Sequence, residues 1–234
     1  MVIQQKVSKN NWEKEFASGG WEGLDSAPSE RARHALIGMY LNHFCPEGKI
    51  LDVGCGLGTM TDFLNQVQKS KYLGIDISET AISEAVKRKN LSFISTDFLE
   101  FTTEEKFNAI VLNEVLYYLE EEAAIAHALK LLDDNGFIVV SLYRQKKMHY
   151  NDKRIWDLCM KYFYPIDHIE ITSNIFDGRT ITWRVEILIN QKCSHSEKYT
   201  ASRKKTYSSD NFKYPASLAN SIHRRIAGII KKFL

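Results

Sequence analysis

The stretch Lys49-Ile50-Leu51-Asp52-Val53-Gly54-Cys55-Gly56-Leu57-Gly58-Thr59-Met60 limits this chain more than any other. A short apolar run ends in an acid, and three glycines alternate with other residues before a segment of helical period. Glycines at such a turn let the backbone reverse sharply and leave room for a ligand against the main chain. The spacing separates one ligand class from another. A dinucleotide fingerprint needs its third glycine at position 59, which is threonine, and the Gly-Lys-Ser/Thr ending of a phosphate loop is absent. What stands is GxGxG behind an acidic strand end.

The pattern around this turn repeats. Apolar runs of strand length alternate with helical periods from about residue 48 to 189: Lys49–Val53, helical Thr59–Gln68, Tyr72–Ile77, helical Glu79–Lys89, Leu91–Ser95, then Phe107–Asn113. Glu120–Leu132 reads as a helix with acids at its start, where the helix dipole favours them. Asp133-Asp134-Asn135-Gly136 reads as a turn, Phe137–Leu142 as a strand and Tyr150–Tyr162 as a helix. Two last runs, His168–Thr172 and Thr180–Ile189, are joined through Asp177-Gly178 as a hairpin. Successive βαβ units demand a mostly parallel sheet with helices on both faces, and the hairpin adds an antiparallel strand near one edge. The expected class is therefore α/β, with a core over residues 48–190 and a helical segment over 1–47 anchored by Trp12, Phe16, Trp21, Ile37, Tyr40 and Leu41.

Composition removes several alternatives. No run of eighteen apolar residues exists and the first residues lack the apolar stretch of a secretory signal, so a cytoplasmic protein is expected. Cys45, Cys55, Cys159 and Cys193 form no CxxC pair and no cluster with histidine, so neither a disulfide framework nor a metal site is expected. Residues 191–234 hold ten Lys/Arg against Glu197 and Asp210, a local charge of +8, which leaves the preceding 190 residues at −6 within a net +2. A mildly acidic body does not suit DNA, and no DNA partner is expected.

The glycine turn resembles motif I of the class I S-adenosylmethionine-dependent methyltransferases, and three further segments follow in the family's order. Leu73-Gly74-Ile75-Asp76-Ile77-Ser78 ends in an acid 18 residues after the last glycine. Thr96-Asp97-Phe98 follows the third strand. Val111-Leu112-Asn113-Glu114-Val115-Leu116-Tyr117-Tyr118-Leu119 ends the fourth. The resemblance covers roughly residues 45–190 and implies a Rossmann-like seven-stranded sheet, with S-adenosyl-L-methionine as cofactor and S-adenosyl-L-homocysteine as product. It places Asp52, Gly54, Gly56, Gly58, Asp76, Ile77, Asp97, Phe98 and Asn113 at the cofactor, with Asp76 on the ribose hydroxyls, a task that suits a two-oxygen acceptor. Residues 1–47 become a cap over that site, bringing Trp21, and an arginine for the methionine carboxylate. Arg31 and Arg33 are both candidates, and Arg33 is placed with the cofactor set. Trp12…Phe16…Gly20-Trp21…Glu30-Arg31, Glu114–Leu119, Ser141-Leu142-Tyr143-Arg144, Ile155-Trp156 and Trp183-x-Val185-x-Ile187-Leu188 are more loosely similar to bacterial methyltransferases of amino sugars and glycans, among them the nodulation-factor N-methyltransferases.

Glu114, Tyr117, Tyr118 and Tyr143 are the candidate catalytic side chains, since each lies just past a strand end. An attacking amine must be neutral, whereas a hydroxyl has greater need of a base. No Asp–His pair or lysine occupies a recognisable base position, which favours methylation of an amine on a small-molecule or glycan-like substrate. O-methylation of a sugar or natural-product hydroxyl is the nearest alternative, followed by an RNA or protein methyltransferase or a non-catalytic cofactor-binding protein. His149 reads as a solvated residue. Over 217–234, Leu218, Ile222, Ile226, Ile229, Ile230, Phe233 and Leu234 form a stripe with basic residues mostly off it, an amphipathic helix suited to a peripheral membrane or partner contact or to docking on its own domain.

Overall fold

The computed structural model describes residues 8–21, 23, 26–89, 91–144, 152–174, 180–191 and 193, all within one compact unit, Met1–Ser196. Two helices come first, α1 (Lys9–Ala17) and α2 (Pro28–Phe44). The order continues as β1 (Ile50–Val53), a 3₁₀ turn (Thr59–Phe63), α3 (Gln66–Lys69), β2 (Tyr72–Asp76), α4 (Glu79–Ala85), β3 (Ser92–Ser95) and β4 (Phe107–Asn113). A second 3₁₀ turn (Leu116–Tyr118) leads to α5 (Glu121–Leu131), β5 (Leu132–Arg144), α6 (Asp152–Tyr162), β6 (Phe163–Asn174) and β7 (Thr180–Asn190).

The seven strands form one sheet in the order β3-β2-β1-β4-β5-β7-β6. Pairings from β3 across to β5 are parallel, while β7 runs antiparallel to both β5 and β6. The strand order reverses between β1 and β4, and their carboxyl ends are where an open α/β sheet leaves a crevice. The core explains why the central strands read as unbroken apolar runs. Ile50, Leu51 and Val53 on β1 and Ala109, Ile110, Val111 and Leu112 on β4 are all buried, because helices cover both faces. Leu51, Ile110, Leu112, Ile138 and Val140 pack with Ala124, Ile125 and Ala128 of α5 and Ile155, Trp156 and Cys159 of α6. Truncating a fully buried centre such as Ile110 to alanine costs about 2–5 kcal/mol.

Three elements differ locally from the periodic reading. The helix expected over Thr59–Gln68 breaks at Leu64, which is extended, and restarts behind Asn65. The Asn65 side chain accepts from the Gln68 N–H while Gln68 returns a bond to the Asn65 N–H. The Asp133–Gly136 turn sits inside a longer strand: the β4 register jumps between Phe107↔Leu132 and Ala109↔Phe137, with the Asp133 Oδ1 accepting from the Asn135 N–H at 3.1 Å. The strand expected over His168–Thr172 extends over Phe163–Asn174 because its whole length pairs with β7. Asp177-Gly178, His149 and the amphipathic C-terminal segment lie outside the described residues.

Candidate active site

A cavity of about 360 Å³ opens over the carboxyl ends of β1, β2 and β4, a volume within the range of small-molecule sites. Its floor is the glycine turn. Gly54, Gly56 and Gly58 all have positive φ, but their surroundings differ. A Cβ on Gly56 would meet nothing closer than Phe16 at 3.9 Å, so this backbone is open to the cavity. A Cβ on Gly58 would strike the Phe93 ring at 2.9 Å, so this glycine closes the turn onto β3 and lies outside the cavity wall.

Asp76 ends β2 against the cavity. Its Oδ2 accepts from the Gly56 N–H and its Oδ1 from the Ser78 N–H, each at 2.9 Å. Each carboxylate oxygen keeps a lone pair beyond these bonds, so the group can still accept from a ligand hydroxyl. Burial raises its pKa against the pull of those backbone amides. Asp52 has another place. It is buried behind the loop, accepts from the Tyr72 hydroxyl at 2.7 Å and does not line the cavity. Burial pushes its pKa up to about 7, with the Tyr72 bond working against the rise. The Cys55 thiol is pushed well above its usual range by burial and by Asp52 and Asp76, which makes it a poor nucleophile. Ile77, Asp97 and Phe98 line the cavity next to Asp76, and the Asp97 Oδ1 holds its own turn by accepting from the Leu99 N–H at 2.9 Å.

The N-terminal helices form the roof. Trp12, Phe16 and Trp21 share one aromatic cluster, and Trp12 meets Tyr118 edge-on at 4.8 Å. The indole Nε1 of Trp21 is buried without a hydrogen-bond partner among the described residues. Between the two arginines the tertiary structure decides. Arg31 turns outward to Asp62 and the Phe63 ring, whereas Arg33 is 5% exposed and lines the cavity. Arg33 bridges the Glu30 carboxylate and the Asn113 Oδ1, which orients the Asn113 amide so that its Nδ2 meets the His34 Nε2 at 3.1 Å. The His34 Nδ1 lies 2.9 Å from the Glu30 carbonyl, closing a ring of contacts between α2 and the end of β4. The Arg33 Nε has no partner among the described residues.

Beyond Asn113 the cavity continues between Glu114, Tyr117, Tyr118, Tyr143, Ile181 and Trp183. Glu114 has φ 58, a left-handed conformation that costs a non-glycine residue roughly 1–3 kcal/mol. Its Oε2 accepts from the Tyr117 hydroxyl at 2.6 Å and its Oε1 from the Ser141 hydroxyl at 3.0 Å. Burial raises the Glu114 pKa above the usual carboxylate range, although Arg33 and the two hydroxyls favour the charged form. Burial and the Glu114 charge raise Tyr117 well above its usual range.

Thus Trp21, Arg33, Gly54, Gly56, Asp76, Ile77, Asp97, Phe98, Asn113, Glu114, Tyr117, Tyr118 and Tyr143 meet in one cavity, while Asp52 and Gly58 shape the loop from behind. Sequence reasoning missed Glu13, His34 and Ile181 and gave Glu30 and Trp183 no site role. Glu13 holds the roof to α4 through the Glu79 and Thr80 amides, a bond between residues 66 and 67 positions apart that no local pattern announces.

Residues 46–208 match the family described as a methyltransferase domain. The chain belongs to this family. Among curated relatives, Nodulation protein S of Rhizobium tropici is 33% identical over 134 residues, covering 54% of this chain and 56% of that protein. Malonyl-[acyl-carrier protein] O-methyltransferase 1 of Ilyobacter polytropus is 32% identical over 146 residues, covering 60% and 54%. The chain thus spans about half the length of these relatives. The N-methyltransferase NodS of Bradyrhizobium japonicum WM9, solved with S-adenosyl-L-homocysteine, superposes with a TM-score of 0.67 at 25% identity, over 79% of this chain and 98% of that one. The fold is the Rossmann-like fold of class I methyltransferases.

The residues present fit S-adenosyl-L-methionine. Asp76 keeps acceptor capacity at the strand end, the Gly56 backbone is open to the cavity, and Trp21 and Arg33, each with a buried N–H that has no partner among the described residues, belong to its lining. No described group of His, Cys, Asp and Glu could hold a metal ion, and no described helix is long and apolar enough to cross a membrane.

Proposed function

We propose that this protein transfers a methyl group from S-adenosyl-L-methionine to the amine nitrogen of a small-molecule or sugar-like acceptor. The observation that carries the reading is the continuity of one cavity. Its lining includes both the residues assigned here to the cofactor and a carboxylate, three tyrosines and a tryptophan. The cofactor supplies a methyl group activated on a sulfonium. The protein's share is alignment and electrostatics. Asp76 holds the ribose, Gly54 and Gly56 leave room for the chain of the ligand, and Arg33 faces its carboxylate end. Trp12, Phe16 and Trp21 exclude water from above. Tyr117, Tyr118, Tyr143 and Glu114 orient the acceptor. A polar group between aromatic walls suits an amino sugar, whose apolar ring face packs on aromatic rings while its amine meets the acid. Likeness to an N-methyltransferase over nearly the whole of that chain supports nitrogen over oxygen.

Calorimetric titration with S-adenosyl-L-methionine and S-adenosyl-L-homocysteine, followed by methyl transfer to amines, amino sugars and sugar hydroxyls, tests the reading. Binding of both compounds and transfer to an amine is the expected result. Transfer to hydroxyls alone would move the reaction to oxygen, in line with the O-methyltransferase relative. Absence of cofactor binding would overturn the assignment as a whole.

A further inference from the structure

We propose that the acceptor enters as an ammonium ion and that Glu114 takes its proton through the Tyr117 hydroxyl, freeing the nitrogen lone pair inside the cavity. The proposal rests on the amine reading above and adds a charge state to the substrate: a cationic primary or secondary amine.

The backbone of Glu114 is the first reason. Among the described residues it is the one non-glycine residue with positive φ. The Glu114 N–H is tied to the Ser141 carbonyl at 3.0 Å, so the conformation is imposed by the junction of β4 with β5. Glycine would occupy that conformation without strain. A carboxylate stands there instead, and strained residues of this kind cluster at functional sites.

The hydrogen bonds are the second reason. Both Glu114 oxygens already accept an O–H, one from Tyr117 and one from Ser141. A tyrosine hydroxyl that spends its proton on a carboxylate has only lone pairs left to offer. An ammonium N–H fits that oxygen better than a neutral hydroxyl does, because a charged donor makes the stronger bond. The titratable and charged groups lining the same cavity around Glu114 are Glu30, Arg33 and His34 of α2, Tyr117 and Tyr118 of the following turn, and Tyr143 of β5. Arg33 is committed to Glu30 and Asn113, so its charge is already partly balanced. The aromatic rings supply a surface that attracts a cation.

The proton balance is simple. A proton leaves the nitrogen for the Tyr117 oxygen while the Tyr117 proton passes to the Glu114 Oε2. An ammonium and a carboxylate become an amine and a carboxylic acid. The nitrogen lone pair then forms the N–C bond as the C–S bond pair stays on sulfur, so the positive charge returns to the product nitrogen. Glu114 releases its proton to water when the product leaves. Burial, which lifts Glu114 above the usual carboxylate range, makes it a better proton acceptor than an exposed glutamate.

Glu114→Gln preserves the size of the side chain and one acceptor oxygen but cannot hold the proton. With D-glucosamine as acceptor and the full chain, E114Q should lose roughly 10²–10⁴-fold in kcat/KM at pH 7. The deficit should narrow as pH rises through the ammonium pKa of the acceptor, because the free amine then enters the cavity without needing the relay. A deficit of the same size at every pH marks a structural role and overturns the proposal. A second readout needs no turnover. A carboxyl whose folded pKa is raised contributes stability below its unfolded range and loses it as pH rises through the folded value. Melting between pH 4 and 8 should therefore show wild type losing Tm relative to E114Q as pH rises. A Tm difference independent of pH overturns the proposal whichever acceptor is used. Cofactor binding by the wild type with transfer to hydroxyls and to no amine would overturn the amine reading itself, and this inference with it.

Discussion

The Glu13 carboxylate sits on the first backbone amides of α4, its Oε1 accepting from the Glu79 N–H at 2.6 Å and its Oε2 from the Thr80 N–H at 3.1 Å. The Ser78 hydroxyl adds a third bond at 3.0 Å, and Lys9 reaches Glu79 at 2.6 Å. A helix start leaves its first N–H groups without partners inside the helix. Here a side chain from the roof supplies them, one turn beyond Asp76. The same α1 helix carries Trp12 and Phe16 into the cavity, so one carboxylate couples the roof to the Asp76 side of the site.

Glu13→Ala should therefore cost about 1 kcal/mol of stability, as loss of a capping side chain does, and weaken S-adenosyl-L-homocysteine binding severalfold. Thermal melting and calorimetry together check this. Unchanged cofactor affinity would show that α1 stays in place without the bond. Burial alone would raise the Glu13 pKa, but the bonds from Thr80, Glu79 and Ser78 outweigh it and lower the value from 4.5 to about 2. A depressed carboxylate contributes stability above its unfolded range and loses it as pH falls through the folded value. The roof should accordingly loosen between about pH 4.5 and 2, visible as rising tryptophan emission wavelength from Trp12 and Trp21.

Asp76→Ala should weaken S-adenosyl-L-methionine binding by roughly 10–150-fold, the equivalent of about 1.5–3 kcal/mol for hydrogen bonds to a charged group. The same change removes the acceptor for the Gly56 and Ser78 amides, so a fall in Tm accompanies it. Asp76→Asn separates the two effects, keeping an acceptor oxygen while losing the charge. Equal affinity in all three proteins would remove the ribose role.

Asp52→Asn should flatten the pH dependence of stability. The Asp52 pKa rises from 3.8 to about 7, so its neutral form confers stability that is full below pH 3.8 and lost as pH climbs through 7. Wild type should fall in Tm relative to D52N between pH 4 and 8, because asparagine stays neutral and still accepts from Tyr72. Parallel melting curves across that window would show that Asp52 ionises normally. Asp52 does not line the cavity, so turnover at pH 6 should change little.

Tyr118→Phe should lower turnover and leave cofactor affinity near the wild-type value. The ring keeps its edge contact with Trp12, and only the hydroxyl is lost. A steady-state series over acceptor concentration, set beside calorimetry, checks the split. Equal turnover would leave Tyr118 as a wall residue.

The sequence alone determined the parts of this protein whose signals are local. Strand–helix alternation, the GxGxG turn and the acid closing the second apolar run are set within a few residues, because main-chain conformation and hydrophobic period act over that range. They sufficed for a parallel sheet with a ligand crevice at the carboxyl ends of β1 and β2. Tertiary structure decided what depends on residues far apart in the chain. Arg31 and Arg33 are two residues apart on one helix, and only the packing of α2 against the end of β4 sends the second inward to Asn113. Asp52 and Asp76 both end apolar runs, yet the Tyr72 hydroxyl claims one behind the loop while the other faces the cavity. Trp183 reaches the cavity because β7 runs antiparallel beside β5, placing it opposite Tyr143. Periodicity carries no record of which distant surfaces come to face each other. That choice belongs to the free energy of packing the whole sheet and its helices, where burial and hydrogen-bond satisfaction are settled together.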